Sequence, residues 1–550
     1  MSRKFVLVAT LLLVLSMVLS SCKPAVKLAK EINLNHGTEP PTLDPNLATD
    51  TTSTQADFLL FMGLTKLDVD TVQPEPSLAT EWSASADGLT WTFKMRKDVY
   101  WVHWDPATQK LEKKRPVTAH DIVYSVRRVA NPETASDYSY VDYIIKGSEA
   151  VNTGESTDLE SIGVKAVDDY TVEFTLTQPA GYFPAIAGMW TNYAVPQEPI
   201  AQYGDKWTEP GNIWTCGPYV LDVWEHESKQ VLKKNTAWFD AKNVSIEQIN
   251  FAMVVEESTA MAMYENGELD VTAAPSADLD RIRADATLSK ELMVGPVLCT
   301  YYYGFNTTKP PLNNAKVRQA LSYGIDRQKL IDTVLKAGQQ PAETFACPGI
   351  FGSPAEDPNF KGLLFDAAKG KALLAEAGYP DGKGLPEITL MFNTSQGHQR
   401  IAEFVQQSWK ENLGIEVKLA NQEWAVYLKT VNGDDTPQIY RMGWCADYAD
   451  ENNWVLENFH TSGKSLNNPK WSGPNAAEFD RLVETAAAET DPAKRKEYYY
   501  KAEELLCVTD AVIAPIYYYT RNTMTKPYVT RTFSKQSGLE EIWAWKVAAH

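Results

Sequence analysis

A chain of 550 residues is too long for one hydrophobic core, so two or three domains are expected. Its 52 Lys and Arg stand against 71 Asp and Glu, a net charge of −19. That balance argues against a nucleic-acid partner, which needs a positive surface, and solubility is a sufficient reason for it. In chain order, Arg3 and Lys4 lead an uncharged apolar run from Phe5 to Leu19, and small Ser20 and Ser21 precede Cys22. The run is short for a membrane span and has the layout of a secretory signal. Residues 90–96 (TWTFKMR) and 170–176 (YTVEFTL) alternate in period two, as half-buried strands do. A helix is expected from Asp366, a plausible N-cap, to Gly378, and another over 399–414, where Ile401, Val405, Trp409 and Leu413 fall near helical spacing before Gly414. The second lies between apolar runs at 387–392 and 415–420, so strand, helix and strand read as a βαβ unit with a parallel pair. A further helix is expected over 478–489. No long linker or short repeat separates these elements, which points to domains packed together.

Chemical constellations are mostly missing. The chain has no GxSxG elbow, HExxH pair, GxGxxG turn or GxxxxGK[ST] loop, and none of its seven histidines pairs with another at i, i+4. Beyond Cys22 there are five cysteines, Cys216, Cys299, Cys347, Cys445 and Cys507. An odd number leaves at least one unpaired or bridging to another molecule, and the lack of a CxxC pair removes support for a zinc ribbon. What stands out is aromatic surface, with 16 Trp and 26 Tyr and clusters at 299–306, 421–428 and 516–520. Residues 441–454, RMGWCADYADENNW, add an arginine, two tryptophans, a cysteine and three carboxylates. On composition alone a catalytic centre, a metal site and a place of grip all fit. Asp447, Asp450 and Glu451 lack the alternate-position spacing of a calcium loop, so no metal is assigned and no cofactor is expected.

Collinear segments across nearly the whole chain then carry a resemblance. They include GTEPPTLDP (37–45), PVTAHDIVYSVRR (116–128), GVKAVDDYTVEFTL (163–176), CTYYYGFNTTKPPLNNAKVRQALSYGIDR (299–327) and GWCADYADE (443–451). Together they resemble the extracytoplasmic solute-binding proteins of ABC importers, family five, and most of all the oligopeptide-binding proteins. Leu19-Ser20-Ser21-Cys22 likewise resembles a bacterial lipobox, which implies cleavage before Cys22, lipid on its sulfur and a chain tethered outside the cytoplasmic membrane.

The resemblance implies an α/β, type II periplasmic-binding-protein-like fold, with two lobes joined by a hinge and three domains. After a signal at 1–21, the discontinuous base domain takes 22–61, 198–298 and 520–550. An inserted domain takes 62–197 and a mobile ligand-closing lobe 299–519. It implies a monomer without catalytic activity that captures short peptides and delivers them to the transmembrane permease of an importer. Asp447 corresponds to the carboxylate that receives a peptide's α-ammonium group, and Trp444 and Trp424 to pocket walls. Tyr138 and Tyr302 match cleft tyrosines, and Arg441 and His398 match groups that meet a peptide carboxylate. Gly443, Trp444 and Cys445 would lend backbone groups in the manner of an added strand. Cys299 and Cys445 match a family disulfide. Asp450 and Glu451 are expected at the surface. The chain departs from the pattern at Thr49, in place of an acid, at Val431, in place of an arginine, and at 335–336, where Lys336 or Leu335 stands for an expected lysine. Two other readings stay open: a binding protein for a cell-wall peptide, oligosaccharide or metal chelate, and a secreted hydrolase on the same fold.

Overall fold

The computed structural model describes residues 29–461, 470–535 and 537–550; Cys22 and the signal segment lie outside them. The two alternating runs form strands Thr90–Met95 and Thr171–Thr175, paired antiparallel. Val172 and Phe174 point inward and their neighbours outward. With Ala79–Ala84 and Val164–Asp168 they complete a four-stranded sheet. A second sheet begins with strand Glu31–Asn35, which pairs in parallel with Gln248–Ala252. Lys229–Lys234 and Tyr219–Glu225 extend it. The first sheet is therefore spliced between two partners of the second.

The largest sheet has seven strands and runs Val271–Ala273, Ile513–Thr525, Leu292–Phe305, Ile439–Cys445, Ile388–Asn393 and Val417–Gln422, with Gln340–Pro341 added beside Ile513–Thr525. The expected βαβ unit is here: Ile388–Asn393 and Val417–Gln422 are parallel, joined by helix Gln396–Leu413. Ser395 caps that helix by accepting from the His398 N–H, and Gly414 ends it in the left-handed region at φ +74°. Its apolar stripe, Ile401, Val405, Trp409 and Leu413, is buried, and the Trp409 indole donates to the Leu321 carbonyl at 2.8 Å. Helices Ala367–Glu376, capped by Asp366, and Pro474–Ala488 form where the sequence places them.

Two long strands, Leu292–Phe305 and Ile513–Thr525, carry the chain from short strand Val271–Ala273 into the heart of this lobe. Their mutual pairing shifts register between Pro296 and Thr300, where the ladder is interrupted. Among the described residues no helix is long and apolar enough to cross a membrane.

Candidate ligand-binding site

Strand Ile439–Cys445 lies between Leu292–Phe305 on one side and Ile388–Asn393 on the other. Its register sets Arg441 opposite Tyr303, Gly443 opposite Tyr301 and Cys445 opposite Cys299. Because side chains alternate along a strand, Arg441, Gly443 and Cys445 share one face, and Met442 and Trp444 the other. Cys299 and Cys445 are joined by a disulfide, whereas Cys216, Cys347 and Cys507 are buried and unpaired.

On the first face the Arg441 guanidinium lies 4.7 Å over the Tyr301 ring and donates to Asn393 Oδ1 at 3.1 Å and to the Tyr519 hydroxyl. Its Nε has no partner, and no described carboxylate forms an ion pair with it. His398, in the first turn of helix Gln396–Leu413, sits 5.6 Å from Tyr301 with Nδ1 unpartnered. Burial first, and then the Arg441 charge, hold its pKa well below the usual imidazole range, so the ring is neutral. A buried cation without a carboxylate, beside a neutral imidazole at a helix N-terminus, favours an incoming anion. A Cβ at Gly443 would stand 3.2 Å from the Tyr519 hydroxyl and 3.4 Å from Arg441 Nη2, so glycine keeps this corner open.

Beyond Cys445 the chain turns inward. Asp447 is half-buried, its N–H donates to Asn453 Oδ1 at 2.9 Å, and its Oδ2 accepts from Asn453 Nδ2 at 2.8 Å. Burial pushes its carboxyl well above the usual range; the Asn453 bond opposes the shift, the nearby Glu457 carboxylate adds to it, and the Tyr138 hydroxyl opposes it weakly. No ion pair among the described residues involves Asp447, so a carboxylate held in a desolvated place lacks a cation. The Tyr138 ring stacks on Trp444 at 6.5 Å and 14°, and the Trp444 indole donates to Asn453 Oδ1 at 3.2 Å. Trp424 opens helix Trp424–Asn432, stacks on Tyr427 and reaches the carboxylate of Asp50, the N-cap of helix Thr51–Leu60.

Several expectations are corrected. Tyr302 is in the core, edge-on to Phe345 and Phe459, while its neighbour Tyr301 faces Arg441 and His398. The period-two alternation of the strand separates these adjacent tyrosines. Asp450 and Glu451 are not at the surface. Asp450 makes a two-point ion pair with Arg495 at 2.7 and 2.9 Å, and Glu451 is fully enclosed beside Glu503 with its carboxyl pushed well upward by burial. Helix Pro492–Glu503 supplies both partners and folds over this turn. Lys336 pairs with Asp280, and Leu335 and Val431 are buried.

Contacts also join segments far apart in the chain. Tyr182 stacks on Tyr448 at 5.6 Å and 7°, with the Arg495 guanidinium 5.2 Å from the Tyr182 ring. On another side Glu257 accepts from the Gly397 N–H at 2.9 Å and from Arg400 Nη2 at 2.8 Å. Sequence reading missed Glu257, Asn453 and Glu457. The only signal near the last two was the polar run ENN at 451–453 inside a buried turn.

The model of the bacterial extracellular solute-binding proteins, family 5 middle, matches residues 73–466. The chain belongs to that family. It is 36% identical over 502 residues to the periplasmic oligopeptide-binding protein OppA of Escherichia coli K12, covering 90% of this chain and 88% of that one. The solved murein tripeptide-binding protein MppA of Escherichia coli superposes with a TM-score of 0.85 at 30% identity, covering 95% of this chain and all of that one. OppA of Haemophilus influenzae in complex with RPPGFSPFR gives 0.83 at 28% identity, with 95% and 100% covered. The fold is thus the two-lobed type II binding-protein fold. The unliganded open form of MppA gives only 0.64 at the same 30% identity, with 96% and 99% covered. This family-5 protein is thus less like that open form than like the other solved MppA structure. Its relatives are substrate-binding proteins of ABC importers, outside the cytoplasm.

Proposed function

We propose that this protein captures short peptides by their free amino end, closes its lobes on them and presents them to the permease of an ABC importer. The observation that carries the reading is the uncompensated Asp447, a carboxylate held by Asn453 in a desolvated cleft with no described cation beside it. Every free peptide carries an ammonium group, so such a carboxylate fixes the ligand's register without reading its sequence. Gly443 and Cys445 offer backbone groups to the ligand main chain, Trp444, Trp424 and Tyr138 wall the cleft, and Arg441 with neutral His398 receives a carboxylate. Side chains enter water-filled space, which keeps sequence specificity low. The long strands Leu292–Phe305 and Ile513–Thr525 serve as the hinge, between the base at 22–61, 198–298 and 520–550 and the lobe at 299–519, with 62–197 as the inserted domain. Lipid on Cys22 tethers the molecule. It performs no catalysis and works as a monomer.

Calorimetry with trialanine and its N-acetylated form tests the reading. Asp447→Asn should weaken binding of the free peptide by about 2–5 kcal/mol, the range for stripping one partner from a buried charge pair. It should leave the acetylated form unchanged. Equal affinity of the variant and the natural protein for the free peptide would refute the anchor, and cleavage of the peptide during incubation would refute the non-catalytic reading.

A further inference from the structure

Behind Asp447 lies a second layer that a lone anchoring carboxylate does not require. Asn453 is fully buried, and its amide nitrogen donates one hydrogen to Asp447 Oδ2 and the other to Glu457 Oε2, both at 2.8 Å. Its amide oxygen accepts from the Asp447 N–H and the Trp444 indole. All four hydrogen-bonding positions are taken, so the side chain is locked. Glu457 is itself buried, and its Oε1 accepts from the Tyr448 hydroxyl and from Asn452 Nδ2 at 3.2 Å. Donors reach both of its oxygens and oppose the upward push of burial, yet no described cation accompanies it.

From the facing domain comes a third acid. Asp142 is fully buried, its Oδ1 accepts from Asn192 at 2.8 Å, and its Oδ2 has no partner. The Tyr140 hydroxyl is buried as well, with Tyr138 as its neighbour. The Glu457 charge acts on Asp142 and on Tyr182, Asp447 and Glu457 both act on Tyr138 and Tyr140, Asp137 also acts on Tyr140, and Asp450 beside Glu457 is neutralised by Arg495. Two buried acids, the half-buried Asp447 in front of them, an unpartnered Asp142 oxygen and no cation among the described residues make up an anionic well.

We propose that the ligand's ammonium is met by this well rather than by Asp447 alone, with Asn453 as the positioning residue that holds Asp447 and Glu457 as the second carboxylate that supplies charge through it. Without a cation the acids of this well keep protons, because like carboxylates cannot all ionise in one desolvated place. Burial pushes both Glu457 and Asp142 up to about 7, which agrees. When R–NH3+ enters, the proton held by the Asp447–Glu457 pair leaves for solvent and the ammonium takes its place. Capture is then coupled to proton release, and ligands with a charged amino end are favoured beyond what one carboxylate achieves. Closure becomes dependent on a cation, since the well brings acids from opposite lobes together.

The inference rests on Asp447 as the ammonium's partner, and the experiment separates the two. Affinity for trialanine and for N-acetyl-trialanine is measured between pH 5.5 and 7.5, and protons released are counted by calorimetry in two buffers of different ionisation enthalpy. The natural protein should bind the free peptide progressively tighter as pH rises and release protons, with no trend for the acetylated peptide. Glu457→Gln keeps an acceptor for Asn453 but loses the charge. It should weaken free-peptide binding roughly tenfold, the order expected from one charge several ångströms away at intermediate dielectric, and flatten the pH trend. A flat profile and no proton release in the natural protein, which needs no variant to fold, overturn the proposal. So does a folded Glu457→Gln variant that matches the natural protein in affinity and proton count. If Asp447→Asn abolishes the preference for the free amine while these two results hold, the second layer falls and the anchor stands. If Asp447→Asn changes nothing, both fall.

Discussion

Removal of the Glu257 carboxylate isolates the energetics of closure. Glu257 belongs to helix Glu257–Glu265, in the segment proposed as base, and its carboxylate satisfies the first turn of helix Gln396–Leu413 through the Gly397 N–H and pairs with Arg400. A side-chain cap on an orphan helix N–H contributes about 1 kcal/mol. An ion pair whose partners are 30% and 24% exposed contributes about 0.2–1 kcal/mol after solvent screening. On the proposed division both join the base to the closing lobe, so Glu257→Ala should cost the closed state about 1–2 kcal/mol, a 5- to 30-fold weaker Kd for trialanine. Arg400→Met removes the ion pair alone and should cost less than about 1 kcal/mol. Calorimetry reads the affinity, and small-angle scattering with and without peptide reads the fraction closed. An affinity within twofold of the natural protein, with the same closed fraction, would show that this contact does not bias closure.

Replacing Cys299 and Cys445 by serine releases a loop with a sequence separation of 146, for which chain entropy sets about 5 kcal/mol of stability. The flanking strands keep their ladder, so a loss of about 2–5 kcal/mol in guanidinium denaturation is expected, and a loss below about 1 kcal/mol would mean the strands alone fix this register. For Asp142 the sign runs opposite to the usual acid. Burial pushes its carboxyl up to about 7 in the folded protein, so the folded state keeps a proton that the unfolded chain sheds from about pH 4. Its contribution to stability is present below pH 4 and lost as pH rises to 7. Asp142→Asn should therefore stabilise the ligand-free protein at pH 8 and change little at pH 4, as denaturant titrations at the two pH values would show.

Much of the fold was legible because its signals are local. The stripe of Ile401, Val405, Trp409 and Leu413, the cap at Asp366 and the stop at Gly414 are readable without tertiary knowledge, and each lies where the sequence puts it. The site was legible only in its first layer. Collinear likeness nominated Asp447, Trp444 and Arg441, but nothing in a linear string says that Arg495 returns to neutralise Asp450, or that Glu503 lies against Glu451. Those two acids were assigned to the surface because a carboxylate is ordinarily solvated, and the partners that override that rule are some 45 to 52 residues away. Tyr301 and Tyr302 show another limit. Both sit in the same matching segment, and only the register against Arg441 tells which one faces it.

The stacking of Trp444 on Tyr138 has an optical consequence. Trp444 is 5% exposed, with the Tyr138 ring stacked on it. When they part, its indole passes from an aromatic enclosure into water, which shifts tryptophan emission to longer wavelength. The difference between the natural protein and Trp444→Phe, which removes one fluorophore of sixteen, would trace that single ring. The molecule thus carries its own gauge of opening, placed one residue from the disulfide that fixes its strand.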